Sequence, residues 1–190
     1  MSKKSMFLAV LALTCCVAAT AMAGEPAPES VRALASDKLV AYGSDPVIVA
    51  AVKAANAEGR TLEQIQARDA EWMATPGLDA GMKALMDSEC GQYLQKLLDA
   101  NAYFSEIFVM DNQGANVAMS DKTSDYWQGD EAKFKESYAG GKGAVHISDV
   151  KFDDSTQAYL VQVSVPVRDG DAVIGAITFG VDVEKIGGGV

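Results

Sequence analysis

Hydrophobic and polar residues alternate with a period of two through much of the chain from Tyr103 to Val183, and this predicts β-structure. An apolar run, Ile107 to Met110, meets the turn Asp111-Asn112-Gln113-Gly114 and returns as Asn116 to Ser120. A polar loop bearing two aromatics, Thr123 to Asp130, separates this hairpin from three further runs: Ala144 to Val150, Ala158 to Val167 and Val173 to Val181. The runs are rich in β-branched residues, and Asp, Ser and Gly fill the breaks between them, so five strands of one antiparallel sheet are expected.

Because successive strand side chains point to opposite sides, the alternation also assigns the two faces. Ile107, Val109, Val145, Ile147, Val161, Val163 and Val165 form a hydrocarbon face suited to packing on helices. Glu106, Phe108, Met110, His146, Ser148, Gln162 and Ser164 form a mixed face, suited to a pocket or, as is ordinary for an antiparallel sheet, to water.

The N-terminal half switches to helical spacing. Val31 to Tyr42 predicts a helix ending at Gly43, and Asp45-Pro46 restarts the chain with a good N-cap and a residue suited to the first turn. Ile48, Ala51, Val52 and Ala55 then make one stripe, closed by Gly59. Thr61-Leu62-Glu63-Gln64 has the capping-box pattern, with Leu62, Ile65 and Trp72 on one face of the helix that follows. Asp69 interrupts that apolar stripe, and such a carboxylate is expected to be held by hydrogen bonds to backbone or to a neighbouring loop. After the break at Thr75-Pro76-Gly77, Met82 to Ala100 predicts helix interrupted near Ser88 to Gly91. The fold class is therefore α+β, with N-terminal helices packed on a five-stranded antiparallel sheet.

The 190 residues fit one domain. Residues 1–23 have the makeup of a secretory signal: Lys3 and Lys4, an apolar stretch from Met6 to Thr20, and Ala21-Met22-Ala23 as the cleavage site. The expected layout is signal 1–23, lead-in and helix start 24–36, one domain 37–186, and a glycine tail 187–190. Cleavage implies a periplasmic location with no membrane insertion afterwards. Leu13-Thr14 before Cys15 lacks the small residue expected ahead of a lipidated cysteine. Cys90 alone would remain, which precludes an intramolecular disulfide and suits a small apolar residue in a helix.

The whole chain has a net charge of −10; removing residues 1–23, which hold two basic and no acidic residues, leaves 14 basic against 26 acidic, a net of −12. This balance, with no basic stripe, argues against nucleic acid and anionic membrane surfaces as partners.

No Ser-His-Asp constellation, metal-spaced His or Cys cluster or phosphate-cradling glycine loop occurs, so no catalytic residue, metal or cofactor is expected. The acidic residues Asp121, Asp125, Asp130 and Glu131, or Asp153 and Asp154, lack calcium-loop spacing and fit a solvated surface. Tyr126 and Trp127, beside Ser124 and other polar residues, combine apolar walls with directional groups, as a small-molecule site requires; equally, they could pin the loop to the sheet.

With Ile107 to Gly114 as first hairpin, the Tyr126-Trp127 loop and the ending Val173 to Val183, residues 37–186 resemble the Cache (PAS-like, PDC) extracytoplasmic sensor domains of bacterial receptors. The resemblance implies a ligand held between the sheet and the loop covering it. Candidate ligand-binding residues are then Tyr126, Trp127, Phe108, Met110, Ser124, Lys133, His146, Ser148, Gln162 and Ser164. Amino-acid-binding members carry an Arg shortly before a Trp-Tyr pair, where this chain has Ser124-Asp125-Tyr126-Trp127; Lys133 is the candidate substitute cation. Receptors of the family continue into a transmembrane helix, whereas this sequence is expected to lack its own transducer. The function expected is a periplasmic module that binds a small metabolite, an organic acid or amine, and presents it to a separate membrane receptor or transporter. A ligand-free protein-interaction module is the alternative, and it predicts apolar side chains filling the space beneath the loop. An enzyme would need an acid-base pair such as Glu106 with His146.

Overall fold

The computed structural model describes residues 24–153 and 156–187. The signal segment, Asp154 and most of the glycine tail lie outside the described residues. The chain begins with α1 (Glu29–Leu34), a π-helical turn (Ala35–Leu39) and α2 (Val40–Tyr42), which run on from one another up to Gly43. Helices α3 (Pro46–Ala57), α4 (Leu62–Ala74), α5 (Ala80–Asp87) and α6 (Glu89–Ala100) follow.

The helix starts are set by local chemistry. Asp45 caps α3 by accepting from the Val47 and Ile48 amides, and Thr61 and Gln64 exchange both bonds of a capping box on α4. Ser88 divides α5 from α6, its hydroxyl accepting from the Gly91 amide at 3.0 Å. Gly91 is required there, because a Cβ would lie 2.3 Å from the carbonyl oxygens of Leu85 and Met86.

Strands β1 (Phe104–Met110), β2 (Asn116–Met119), β3 (His146–Ile147), β4 (Lys151–Asp153), β5 (Ala158–Asp169) and β6 (Ala172–Asp182) form one antiparallel sheet in the order β2-β1-β6-β5-β3, with β4 also on β5. Helix α7 (Ala132–Tyr138) bridges β2 and β3, and α8 (Val183–Gly187) ends the described chain. Of the third strand expected over Ala144 to Val150 only His146–Ile147 is strand, and β4 follows beyond it. Between β3 and β4 Val150 donates its amide to the Glu25 carbonyl at 2.7 Å, an isolated antiparallel bridge to the N-terminal segment.

The hydrocarbon face packs as its alternation requires. Ile107, Val109, Val161, Val163 and Val165 join Ile177, Phe179 and Val181 in one buried cluster with Val31, Leu39, Ile48, Val52 and Leu94 from the helices. Each such side chain contributes roughly 1.5–3 kcal/mol on full burial. Val145, expected with them, precedes β3 and is exposed. A second cluster covers part of the mixed face: Phe108, Met110, Met119 and Ala176 meet Ile65 and Trp72 of α4, Met82 of α5, Tyr126 and Phe134. Among the described residues no helix is long and apolar enough to cross a membrane.

Candidate functional site

The segment between β2 and α7 is stitched to its surroundings through its backbone. Asp69 of α4 accepts from the amides of Tyr126 at 2.8 Å and Trp127 at 3.0 Å, which is how the carboxylate on an apolar stripe is satisfied. The Trp72 indole donates to the Thr123 carbonyl at 2.8 Å, and the Trp127 indole to the Gln113 carbonyl at 2.8 Å. Tyr126 is buried with its ring 5.4 Å from that of Trp72, and its hydroxyl accepts from the Arg60 guanidinium. Burial pushes that hydroxyl above its ordinary pKa, against the opposing pull of Arg60.

The space beneath the loop is thus occupied at one end, where Phe108, Met110 and Tyr126 are core side chains and Phe134 joins them. Farther along the mixed face the sheet stays polar. A cavity of about 230 Å³ opens there, lined by Glu131, Lys133, Ser148, Lys151, Phe152, Asp153, Leu160 and Gln162. Lys133 is buried, its ammonium 3.2 Å from the Glu131 carboxylate and 5.3 Å from the centre of the Phe108 ring. Ser148 accepts from the Gln162 amide at 2.9 Å.

Beside the cavity the Gln162 side chain donates to Glu106 at 3.0 Å, although β6 lies between their strands. Gly180 makes this reach possible. It pairs with both Glu106 and Gln162, and a Cβ on it would stand 2.5 Å from Glu106 Cγ, so only a glycine leaves the carboxylate room to cross the central strand. Burial raises the Glu106 pKa above the ordinary carboxylate value, while the Gln162 hydrogen bond and the Lys133 charge oppose the rise.

Of the ten residues expected from sequence, Lys133, Ser148 and Gln162 line this cavity. Ser164 is buried and bonded to Thr178 at 2.8 Å, and Ser124 is exposed beside Asp125. His146 sits 2.7 Å from Glu136. Trp127 is half-buried against the hairpin, outside the cavity lining. Glu131, Lys151, Phe152, Asp153 and Leu160 complete the lining and were not among the residues expected.

The acid-base pair does not form. Strands β6 and β5 separate Glu106 on β1 from His146 on β3, three inter-strand steps or about 14 Å, and each side chain has a different partner. Among the described residues, no group of three or more His, Cys, Asp or Glu is placed to hold a metal ion.

No family model matches the chain, and no curated protein does. Solved structures with a similar course of chain exist. Its structural neighbours are receptor sensor domains. The sensor domain of the V. cholerae histidine kinase DctB is 15% identical, with 83% of this chain and 56% of that one covered at a TM-score of 0.43. The sensory domain of the Campylobacter jejuni chemoreceptor Tlp3 is 11% identical, with 83% and 64% covered at 0.44. The ligand-binding domain of the Pseudomonas aeruginosa PAO1 amino-acid chemoreceptor PctC, in complex with GABA, is 15% identical, with 68% and 55% covered at 0.39. These sensor domains are of the Cache/PDC type, and the chain spans little more than half to two thirds of their length.

Proposed function

We propose that this chain is a sensory module that binds a compact, amine-bearing metabolite in the mixed-face cavity and, from the periplasm, presents it to a separate membrane receptor or transporter. The observation that carries the reading is the Glu106–Gln162 pair held across Gly180 beside a polar-lined hollow. A volume of about 230 Å³ equals that of roughly seven or eight waters in the liquid, which limits the ligand to a small metabolite. In its lining the carboxyls of Glu131 and Asp153 match the ammonium groups of Lys133 and Lys151 in number, and the Glu106 carboxyl stands beside it, so an amine-bearing zwitterion suits it better than a free organic acid.

The test is a thermal-shift screen of amines, amino acids and organic acids on the chain beginning at Gly24, since a ligand bound only by the native state raises its apparent stability. An amine should raise the melting temperature, and Glu106→Gln, which keeps an acceptor for Gln162 but removes the charge, should weaken the shift. No shift with any compound, or an equal shift in Glu106→Gln, would refute this assignment.

A second reading, a ligand-free interaction module, draws support from the filled space under the loop, where Phe108, Met110 and Tyr126 are buried. It predicts that the screen is silent and that a protein partner alone stabilises the fold.

A further inference from the structure

The outer edge of β4 offers an open backbone and an exposed ring at the same residue. The Ser148 amide donates to the Gln162 carbonyl at 3.0 Å, which fixes the phase of β5: Gln162, Leu160 and Ala158 turn their backbone groups toward β3 and β4. Lys151 and Asp153, paired with Leu160 and Ala158, therefore turn theirs inward. Phe152 between them turns its N–H and C=O outward, as Val150 does to reach Glu25. Among the described residues β4 pairs with β5 alone.

An open strand edge is a template for another chain, and charged side chains ordinarily blunt it. The charges on β4 do the opposite. Lys151 is exposed and Asp153 half-buried, and both lie on the mixed face, one on each side of Phe152. A second β4 laid antiparallel about a two-fold axis at Phe152 sets each Lys151 directly opposite the other copy's Asp153, so the edge is complementary to itself. The two Phe152 residues then exchange both of their outward N–H···O=C bonds. Asp153 also accepts from the Thr156 amide at 2.9 Å, and a carboxylate has acceptor sites for more than one donor.

The other face of the hairpin supplies apolar surface. Phe152 and Tyr159 are 48% and 49% exposed, their rings 5.2 Å apart and edge to face. The same axis joins the two pairs into one row, Tyr159-Phe152-Phe152-Tyr159, which takes this exposed surface out of water. Glu25 occupies the edge at Val150, and by symmetry this confines the contact to Lys151–Asp153 of each copy. So short an edge falls well below the roughly 800 Å² per partner of a standard interface, and the association is accordingly weak.

We infer that this chain pairs with a second copy of itself edge to edge through β4, continuing the sheet across a two-fold axis at Phe152. Lys151 and Asp153 also line the mixed-face cavity, so the pairing places the two cavities on one face of the joined sheet, on either side of the axis. The pairing itself needs no ligand.

Sedimentation of the chain beginning at Gly24, without added ligand, should show a reversible dimer with a dissociation constant on the order of 10⁻⁴ M. Lys151→Asp and Asp153→Lys each set like charges opposite one another and should weaken self-association about tenfold or more. An equimolar mixture of the two variants, in which every Asp again meets a Lys, should recover it. Because Asp153→Lys also gives up the Thr156 bond, a pair of cysteine variants supplies a reading that leaves these charges in place. Phe152→Cys lies on the axis with its Cα about 5.5 Å from that of its copy, within disulfide reach, and should oxidise to a covalent dimer. Tyr159→Cys is equally exposed but about 15 Å from its copy, three strand spacings, and should cross-link about tenfold more slowly or worse. A wild-type chain that stays monomeric at about 1 mM overturns the inference, since about nine-tenths of it would be in excess of the expected constant. So does a dimer that Lys151→Asp leaves intact, a mixture no more associated than its parts, or equal cross-linking at positions 152 and 159.

Discussion

Asp69 is the residue on which the loop over the mixed face depends. One carboxylate oxygen accepts from two consecutive amides, Tyr126 at 2.8 Å and Trp127 at 3.0 Å, from a helix more than fifty residues away in sequence. Hydrogen bonds to a charged acceptor contribute about 1.5–3 kcal/mol each, and both amides are partly buried. Water can reach a half-buried loop once it loosens, so Asp69→Ala should cost about 2–4 kcal/mol rather than the full sum. Asp69→Asn retains an acceptor oxygen without the charge and should cost roughly half as much. For a domain of this size the alanine variant should melt roughly 5–15 °C lower. Urea denaturation measures the difference, and hydrogen exchange locates it: the Tyr126 and Trp127 amides should exchange faster in the variant, before global unfolding. An Asp69→Ala protein within about 0.5 kcal/mol of wild type, the range of an ordinary surface substitution, would refute the anchoring role.

Trp127→Ala should cost about 2–4 kcal/mol, below the range for a fully buried aromatic because the ring is half exposed, whereas Trp127→Phe should lose mainly the indole bond to Gln113, about 1 kcal/mol; a wild-type denaturation midpoint for Trp127→Ala would show that the ring anchors nothing. Glu106 has a folded pKa above its unfolded value, so its favourable contribution is complete below about pH 4.3 and is lost as pH rises through the raised value. The stability of Glu106→Gln relative to wild type should therefore increase from pH 4 to 7, and a flat or falling difference in urea titrations would contradict the assigned burial. Burial pushes the Cys90 thiol up to about 12, leaving on the order of one thiolate in 10⁴ at pH 8; iodoacetamide should label the native chain far more slowly than the urea-unfolded one, and equal rates would count against it.

What the sequence determined by itself is what short-range chemistry controls. Asp45 before Pro46, Thr61 with Gln64, and the break at Ser88 carry their partners within four residues, so the helix starts were legible without a fold. The two faces of the sheet followed from the period of two, because a strand cannot turn one side chain without turning all of them. Sequence also gave Asp69 its kind of partner, a loop backbone, but not which loop, since that contact spans 57 residues. Tertiary structure alone decided the rest. Strand order placed β6 and β5 between Glu106 and His146, and it brought Glu106 to Gln162 across Gly180, a pairing set by register rather than by any local pattern. The bridge of Glu25 to Val150, between segments more than a hundred residues apart, is likewise set by the fold and by no local pattern. The cavity lined by Lys133, Ser148 and Gln162 exists only once β4 and the start of α7 meet β5, because the volume between separately formed elements is fixed only when they pack.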